Sequence, residues 1–196
     1  MGWTVLVPLK NLASAKSRLR AGRPGGPGEH TALVLAMAYA TVSAAAAAEG
    51  VDEVVVVTGD PLVREALRPT GARYAVDPGG GLNAALRSAA RDDAYTAALT
   101  GDVPALRPAE LADALRYARG GRSFVPDEPG TGTVLLAAPA GVPLAPLFGP
   151  DSARAHELSG AARLEKDWPT LRRDVDTAAD LDRVLLLGWK APAVRA

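Results

Sequence analysis

A chain of 196 residues, 48% apolar and 22% charged, has room for one α/β domain with a full hydrophobic core and is short for two. Lys plus Arg and Asp plus Glu each total 22, so no net field attracts nucleic acid or an anionic membrane, and any anionic ligand needs a local cluster of donors. The absence of cysteine excludes a disulfide framework and thiolate metal sites.

Residues 3–8 (WTVLVP) read as a buried first strand, because β-branched and apolar side chains run together there. No basic segment and long apolar run of the secretory kind is visible, so a cytoplasmic location is expected. The basic stretch LKNLASAKSRLRAG follows, then a Gly/Pro segment at 23–28. Alanine and leucine over 31–48 predict a helix ended by Gly50. With Tyr39, Thr41 and Ser43 inside it, that helix falls short of the roughly 20 strongly apolar residues of a membrane span. Residues 53–57 (EVVVV) predict a central parallel strand, and Pro61 opens the next helix.

The same beat then repeats: a strand at 73–76, a helix at 81–90 after a glycine run, a strand at 96–99 broken at Gly101-Asp102, a helix at 108–119 and a strand at 123–125. Strands spaced by helices argue for a parallel, helix-covered sheet with right-handed crossovers. Beyond Gly130 the pattern loosens into a strand at 133–138, a Pro-rich irregular segment at 139–150, a helix at 152–160, a last strand at 171–175 and a last helix at 178–187. Neither a repeat nor a linker interrupts it, which predicts a single domain over 1–196.

In open parallel sheets ligands bind outside the carboxyl ends of the strands, so polar residues just after each strand are the candidates. Lys10, Lys16 and Arg18 follow the first; they are phosphate contacts or solvated surface charges. Asp102 in LTGDVPAL is a Mg²⁺ ligand or a turn residue capping the helix near Pro108. On a strand, Asp174 and Asp176 would share a face, and two like charges that close call for a cation. Alternatively Asp176 or Thr177 caps the last helix, with Asp180 as an early-helix acid. Gly79-Gly80-Gly81-Leu82-Asn83 lets a nucleotide approach the backbone or is a plain loop. Gly130-Thr131-Gly132-Thr133 offers amides and hydroxyls to a phosphate or is a turn into the next strand. Ser152 is an N-cap or an anion contact at a helix start. His156 reads as a structural or surface residue more readily than as a base, His30 as a residue near a helix start, and Trp3, Trp168 and Trp189 as core or rim.

Together VPLKNLASAKSRL, TGDVPAL, PDEPGTGT, FGPDSARAH and DVDTAADL resemble the guanylyltransferases of coenzyme F-420 biosynthesis, which use phosphoenolpyruvate or 2-phospho-L-lactate and are related to the molybdenum-cofactor guanylyltransferases. The resemblance runs nearly end to end with the motifs in order. It implies a three-layer α/β/α fold with a mostly parallel twisted sheet, similar to nucleotide-diphospho-sugar transferases, and GTP as donor with release of pyrophosphate. It implies Lys10, Lys16 and Asp102 as catalytic residues and Asp102, Asp174 and Asp176 as Mg²⁺ ligands. It further implies Pro8, Lys10, Arg18, Gly80, Gly81, Asn83 and Gly101 around GTP, and Lys16, Thr133, Gly149 and Ser152 around the acceptor phosphate. Where the molybdenum enzymes open with a Gly-rich loop, this chain has Pro8-Leu9-Lys10-Asn11, which favours the F-420 branch; an Ala/Arg/Gly-rich, high-GC composition of actinobacterial kind favours its phosphoenolpyruvate-using version.

The chemistry expected is in-line attack of the acceptor phosphate on the α-phosphorus of GTP, without a general base, since a phosphate monoester is already anionic at neutral pH. The partners expected are thus two small molecules, GTP and a phosphorylated three-carbon acid, with a homodimer compatible. Two other classes fit less well: a nucleotide-sugar glycosyltransferase, which would carry Asp-x-Asp where Asp102-Val103-Pro104 stands, and a non-catalytic GTP-binding subunit, which gains little from paired acids.

Overall fold

The computed structural model describes residues 2–9, 12, 16–22 and 26–192. Among them, seven strands form one sheet: β1 (Trp3–Pro8), β2 (Val51–Val57), β3 (Arg73–Ala75), β4 (Thr96–Leu99), β5 (Ser123–Pro126), β6 (Thr133–Ala138) and β7 (Ala162–Arg163). Their order is β3-β2-β1-β4-β6-β5-β7, and only β6 runs antiparallel to its neighbours. The helices are α1 (Ser17–Ala21), α2 (Pro27–Ala46), α3 (Pro61–Leu67), α4 (Leu82–Ala89), α5 (Pro108–Tyr117), α6 (Ser152–Leu158) and α7 (Ala178–Leu186).

Strand alternation divides the core in two. Val5 and Val7 of β1 point into one apolar cluster and Leu6 into the other, as a two-residue period requires. The first cluster takes Leu35 of α2, Leu67 of α3, Leu115 of α5 and Val184 of α7; the second takes Leu86 of α4 and Ala153 of α6. Helices thus cover both faces, and β4 and β6 are buried along their whole lengths because each face meets helices. This is the α/β/α arrangement expected, with the mostly parallel sheet at its centre. Trp3, Trp168 and Trp189 are buried. No helix among the described residues is long and apolar enough to cross a membrane.

Two expected boundaries are corrected. The long helix begins at Pro27, where proline's fixed φ suits the first helical position and the Glu29 carboxylate accepts from the Gly26 amide at 3.3 Å; His30 lies within its first turn. Residues 171–175 do not form a strand. The amides of Thr170 and Leu171 donate to the Glu110 carboxylate, both at 2.9 Å, the Arg172 amide turns back to the Trp168 carbonyl at 3.1 Å, and the Val175 amide bonds the Asp102 carbonyl at 3.0 Å, so the first donors of the segment are spent outside any sheet ladder. The sheet edge is instead the two-residue β7, too short to leave a periodic signal in sequence.

The chain builds β1, β2 and β3 outward in one direction, then returns to place β4 on the other side of β1. Between β1 and β4 the connections diverge, and a crevice opens at the carboxyl ends of these two strands. The entry to α4 nearby depends on Gly81, at φ 91° and ψ 179°, a region essentially closed to side-chain-bearing residues. A Cβ there would meet nothing within 4 Å, so the cost of substitution is backbone conformation alone. Gly81→Ala is therefore expected to lower stability by about 1–3 kcal/mol, read as a shift of the urea midpoint without change in slope.

Candidate active site

The crevice brings two distant stretches of chain together. On the β4 side, Thr100-Gly101-Asp102 leaves the sheet beside Leu9, and a Cβ at Gly101 would press on the tip of the Leu9 side chain, which would have to turn aside. On the other side, the Val175 amide bonds the Asp102 carbonyl and carries Asp174 and Asp176 to the same place. The pair converges from an extended loop, not from the strand geometry that the sequence suggested. Capping is settled separately. Thr177 caps α7, accepting from the Asp180 amide at 3.3 Å, while the Asp180 carboxylate accepts from the Thr177 amide at 2.9 Å. Asp176 is thereby free of capping and turns towards the crevice; Asp102 caps nothing, since the residue before α5 is Arg107.

Asp102, Asp174 and Asp176 each offer an oxygen within 4.8 Å of the others. Lys16 stands among them: its Nζ donates to Asp102 Oδ2 in a short ion pair and to Asp176 Oδ1 at 2.6 Å, and Arg18 reaches Asp176 Oδ2 at 3.4 Å. The Lys16 side chain is 15% exposed and that of Asp102 21%, so solvent screens this contact only partly. Lys16 also has left-handed backbone, at φ 54°, an uncommon conformation for a residue with a side chain. Burial pulls the Lys16 ammonium towards losing its proton, but the Asp102 and Asp176 charges outweigh it and hold the pKa above the usual lysine range. Asp174 is pushed up to about 7, first by burial, then by the Asp102 and Asp176 charges, with Lys16 opposing in part. Asp102 Oδ1 is buried without a hydrogen-bond partner among the described residues. A cluster with more carboxylate than cation, and one acceptor left bare, has the donor set of a hard divalent-cation site.

Two clefts meet at this cluster, sharing Arg18, Leu82 and Asp176. One, of about 330 Å³, is lined by Pro8, Gly101 and the apolar side of α2. The other, of about 670 Å³, is lined by Thr133, Gly149, Ser152, Arg172 and Arg173. Of the residues expected around a nucleotide, Pro8, Arg18 and Gly101 line the first cleft, while Gly80, Gly81 and Asn83 line neither; of those expected around an acceptor phosphate, Thr133, Gly149 and Ser152 line the second and Lys16 the first. Lys10 lies outside the described residues. Gly80 and Gly81 shape the turn into α4, and Asn83 uses both ends of its amide on Phe148, donating to its carbonyl at 2.9 Å and accepting from its amide at 2.8 Å. In the second cleft, Asp127 captures the Thr131 and Gly132 amides at 2.9 Å each, so the glycine-threonine run is a closed turn rather than an open ring of donors. Ser152 is not an N-cap but the first residue of α6, buried behind Asp151. Arg172 and Arg173, missed in sequence, adjoin Asp174; their direct adjacency to the acid pair was the available signal.

A doubly covered sheet with acids and a lysine at its switch point is a frame on which nucleotides bind. The sequence profile of the MobA-like NTP transferase domain matches residues 33–173. Phosphoenolpyruvate guanylyltransferase of Salinispora arenicola is 56% identical over 95% of this chain and 89% of its own, and that of Streptomyces avermitilis is 50% identical over 96% and 90%. The chain belongs to the MobA-like NTP transferase family, on the branch of the phosphoenolpyruvate guanylyltransferases. Solved structures agree in fold alone. A Desulfovibrio desulfuricans G20 protein provisionally assigned as a nucleotide-diphospho-sugar transferase superposes with a TM-score of 0.70 at 18% identity, over 92% of this chain and 84% of its own. The CMP:2-keto-3-deoxy-manno-octonic acid synthetase complexed with CTP gives 0.60 at 18%, over 96% and 98%.

The electrostatics of the cluster carry a signed consequence. A carboxyl whose pKa is raised on folding binds its proton more tightly in the folded state, so its charging costs stability as pH rises from the ordinary 3.8 to about 7. Asp174→Asn is expected to stabilise the metal-free protein at pH 8, by on the order of 1 kcal/mol. The gain should vanish near pH 4; denaturant titrations at both pH values measure it.

Proposed function

We propose that this chain transfers GMP from GTP to phosphoenolpyruvate with release of pyrophosphate. The observation that carries the reading is the Asp102–Asp174–Asp176 cluster, with its bare Asp102 Oδ1, at the junction of two clefts. Phosphoenolpyruvate guanylyltransferases at 45–56% identity supply the substrates. GTP occupies the cleft lined by Pro8 and Gly101, and the acceptor phosphate the cleft lined by Thr133, Gly149 and Ser152. The two phosphates meet beside Asp176.

Asp102, Asp174 and Asp176 would hold Mg²⁺, and the bare oxygen of Asp102 is the feature of this site that fits it. When bound, the ion neutralises charge on the two reacting anions. Lys16 keeps its proton throughout, and beside the α-phosphate it offsets negative charge passing to pyrophosphate. Arg18 extends the positive edge towards the leaving group. No side chain need act as a base, because the acceptor monoester is largely ionised at pH 7, with a second pKa near about 6. Catalysis then rests on alignment and charge compensation. The order of motifs along the chain supports coenzyme F-420 biosynthesis as the setting.

A pyrophosphate-release assay crossing GTP and ATP with phosphoenolpyruvate, 2-phospholactate and 3-phosphoglycerate is expected to give turnover with GTP and phosphoenolpyruvate; failure of that pair with Mg²⁺ present would reject the substrate assignment. Asp102→Asn should retain the wild-type circular dichroism spectrum and lose about 10²–10³-fold or more in kcat. Near-normal turnover in that variant would remove the metal role.

A further inference from the structure

His156 is wholly buried beside the second cleft, yet both ring nitrogens are committed. The Leu147 amide lies 2.9 Å from Nε2, and a backbone N–H can only donate, so Nε2 carries a lone pair. In the neutral ring the proton then sits on Nδ1, 2.9 Å from Thr133 Oγ1. Burial first, and then the Arg122 charge, lowers the pKa to about 4, which keeps the imidazole neutral at physiological pH. Phe124 and Phe148 hold the ring from two sides, with centroids 5.8 and 5.2 Å away.

The consequence falls on Thr133. The Nδ1 proton faces the Thr133 oxygen, with the Ser152 backbone as a further hydrogen-bond partner of the ring, so the hydroxyl cannot donate to that nitrogen and its own O–H must point elsewhere. Thr133 lines the second cleft, where Gly149 and Ser152 also stand. The other ring nitrogen fastens Leu147, two residues ahead of Gly149 and next to the Phe148 backbone that Asn83 grips. A phenylalanine could fill the same space between the two aromatic rings without burying two polar nitrogens, a burial that costs free energy unless each nitrogen is paired.

We infer that His156 is a positioning residue for the transfer reaction: it fixes the Thr133 hydroxyl as a one-way donor to the acceptor's phosphate. This rests on the reading of Thr133 as an acceptor contact, and the test separates the two. Asn at 156 keeps an N–H near the place of Nδ1 and loses the acceptor for Leu147; Gln keeps an acceptor near the place of Nε2 and loses the donor to Thr133. Each variant drops one ring hydrogen bond, so both should lower the thermal midpoint by similar amounts, and stability alone cannot separate them.

Steady-state kinetics should separate them. His156→Gln is expected to raise KM for phosphoenolpyruvate about tenfold and His156→Asn by less than about threefold, the difference of one hydrogen bond to a charged group, with KM for GTP changed less than about twofold in both. In the Thr133→Val background, His156→Gln should add nothing, since the hydroxyl it orients is gone. Equal effects of Asn and Gln, parallel shifts in both KM values, or full additivity with Thr133→Val would leave His156 a packing residue and overturn the inference. Unchanged KM for phosphoenolpyruvate in Thr133→Val alone would instead reject Thr133 as an acceptor contact, and the role of His156 with it.

Discussion

Asp102, Asp174 and Asp176 point at one another across 4.8 Å or less, and the fold holds them there against their own repulsion. Two like charges about 4 Å apart repel by about 1 kcal/mol in water and several-fold more where protein displaces it. Lys16 pairs directly with two of the three, and Asp174 is left with a pKa raised by burial and by its neighbours. Charged Asp174, which costs stability, stays in place because restraints outside the cluster hold it there.

Those restraints can be named. Glu110 on α5 takes the Thr170 and Leu171 amides and fixes where the acidic segment begins. The Val175 amide locks it to the Asp102 carbonyl, and the Thr177–Asp180 capping box fixes where it ends. Between these anchors Asp174 and Asp176 have little room to swing apart. On the opposing side, Lys16 takes a left-handed backbone just ahead of α1 and reaches Asp102 where the chain leaves β4. Most of these bonds run from side chain to backbone, which sets position without adding net charge to the site.

The same distinction explains how much could be read from sequence. Strands at 96–99 and 133–138 have the limits expected, because buried apolar runs bounded by turn residues are a local signal. Asp102 and the Asp174/Asp176 pair were visible as acids at strand ends and within a family pattern. Their convergence, however, comes from a loop held by Glu110, a residue some 60 positions away that reads as an ordinary surface acid on a helix. The strand expected at 171–175 was wrong for that reason: a carboxylate on another element had claimed the amides. His156 was legible only as a lone histidine, since its pairing with Thr133 crosses 23 positions and depends on the tautomer set by Leu147. Local periodicity records what a segment does alone, and the site is made of what segments do to each other.

Net neutrality takes on meaning at this scale. A cleft lined by Arg172 and Arg173 and bordered by Asp127, Glu128 and the three-acid cluster has no strong field of one sign. Arg172 spends its guanidinium on the Pro126 and Asp127 carbonyls, and Arg173 pairs with Glu128 at 3.1 Å. Arg18 and Arg183 also line it, paired with Asp176 and Asp180, so the guanidiniums of the cleft are offset by neighbouring acids and carbonyls, and the acid cluster opposes an entering anion until a counter-charge is present. Coulombic attraction alone would draw in any anion of suitable size. Where the guanidiniums lining a cleft are already paired, net attraction is weak, so binding of an anion there would depend on geometry and on a counter-charge at the acid cluster between the two clefts.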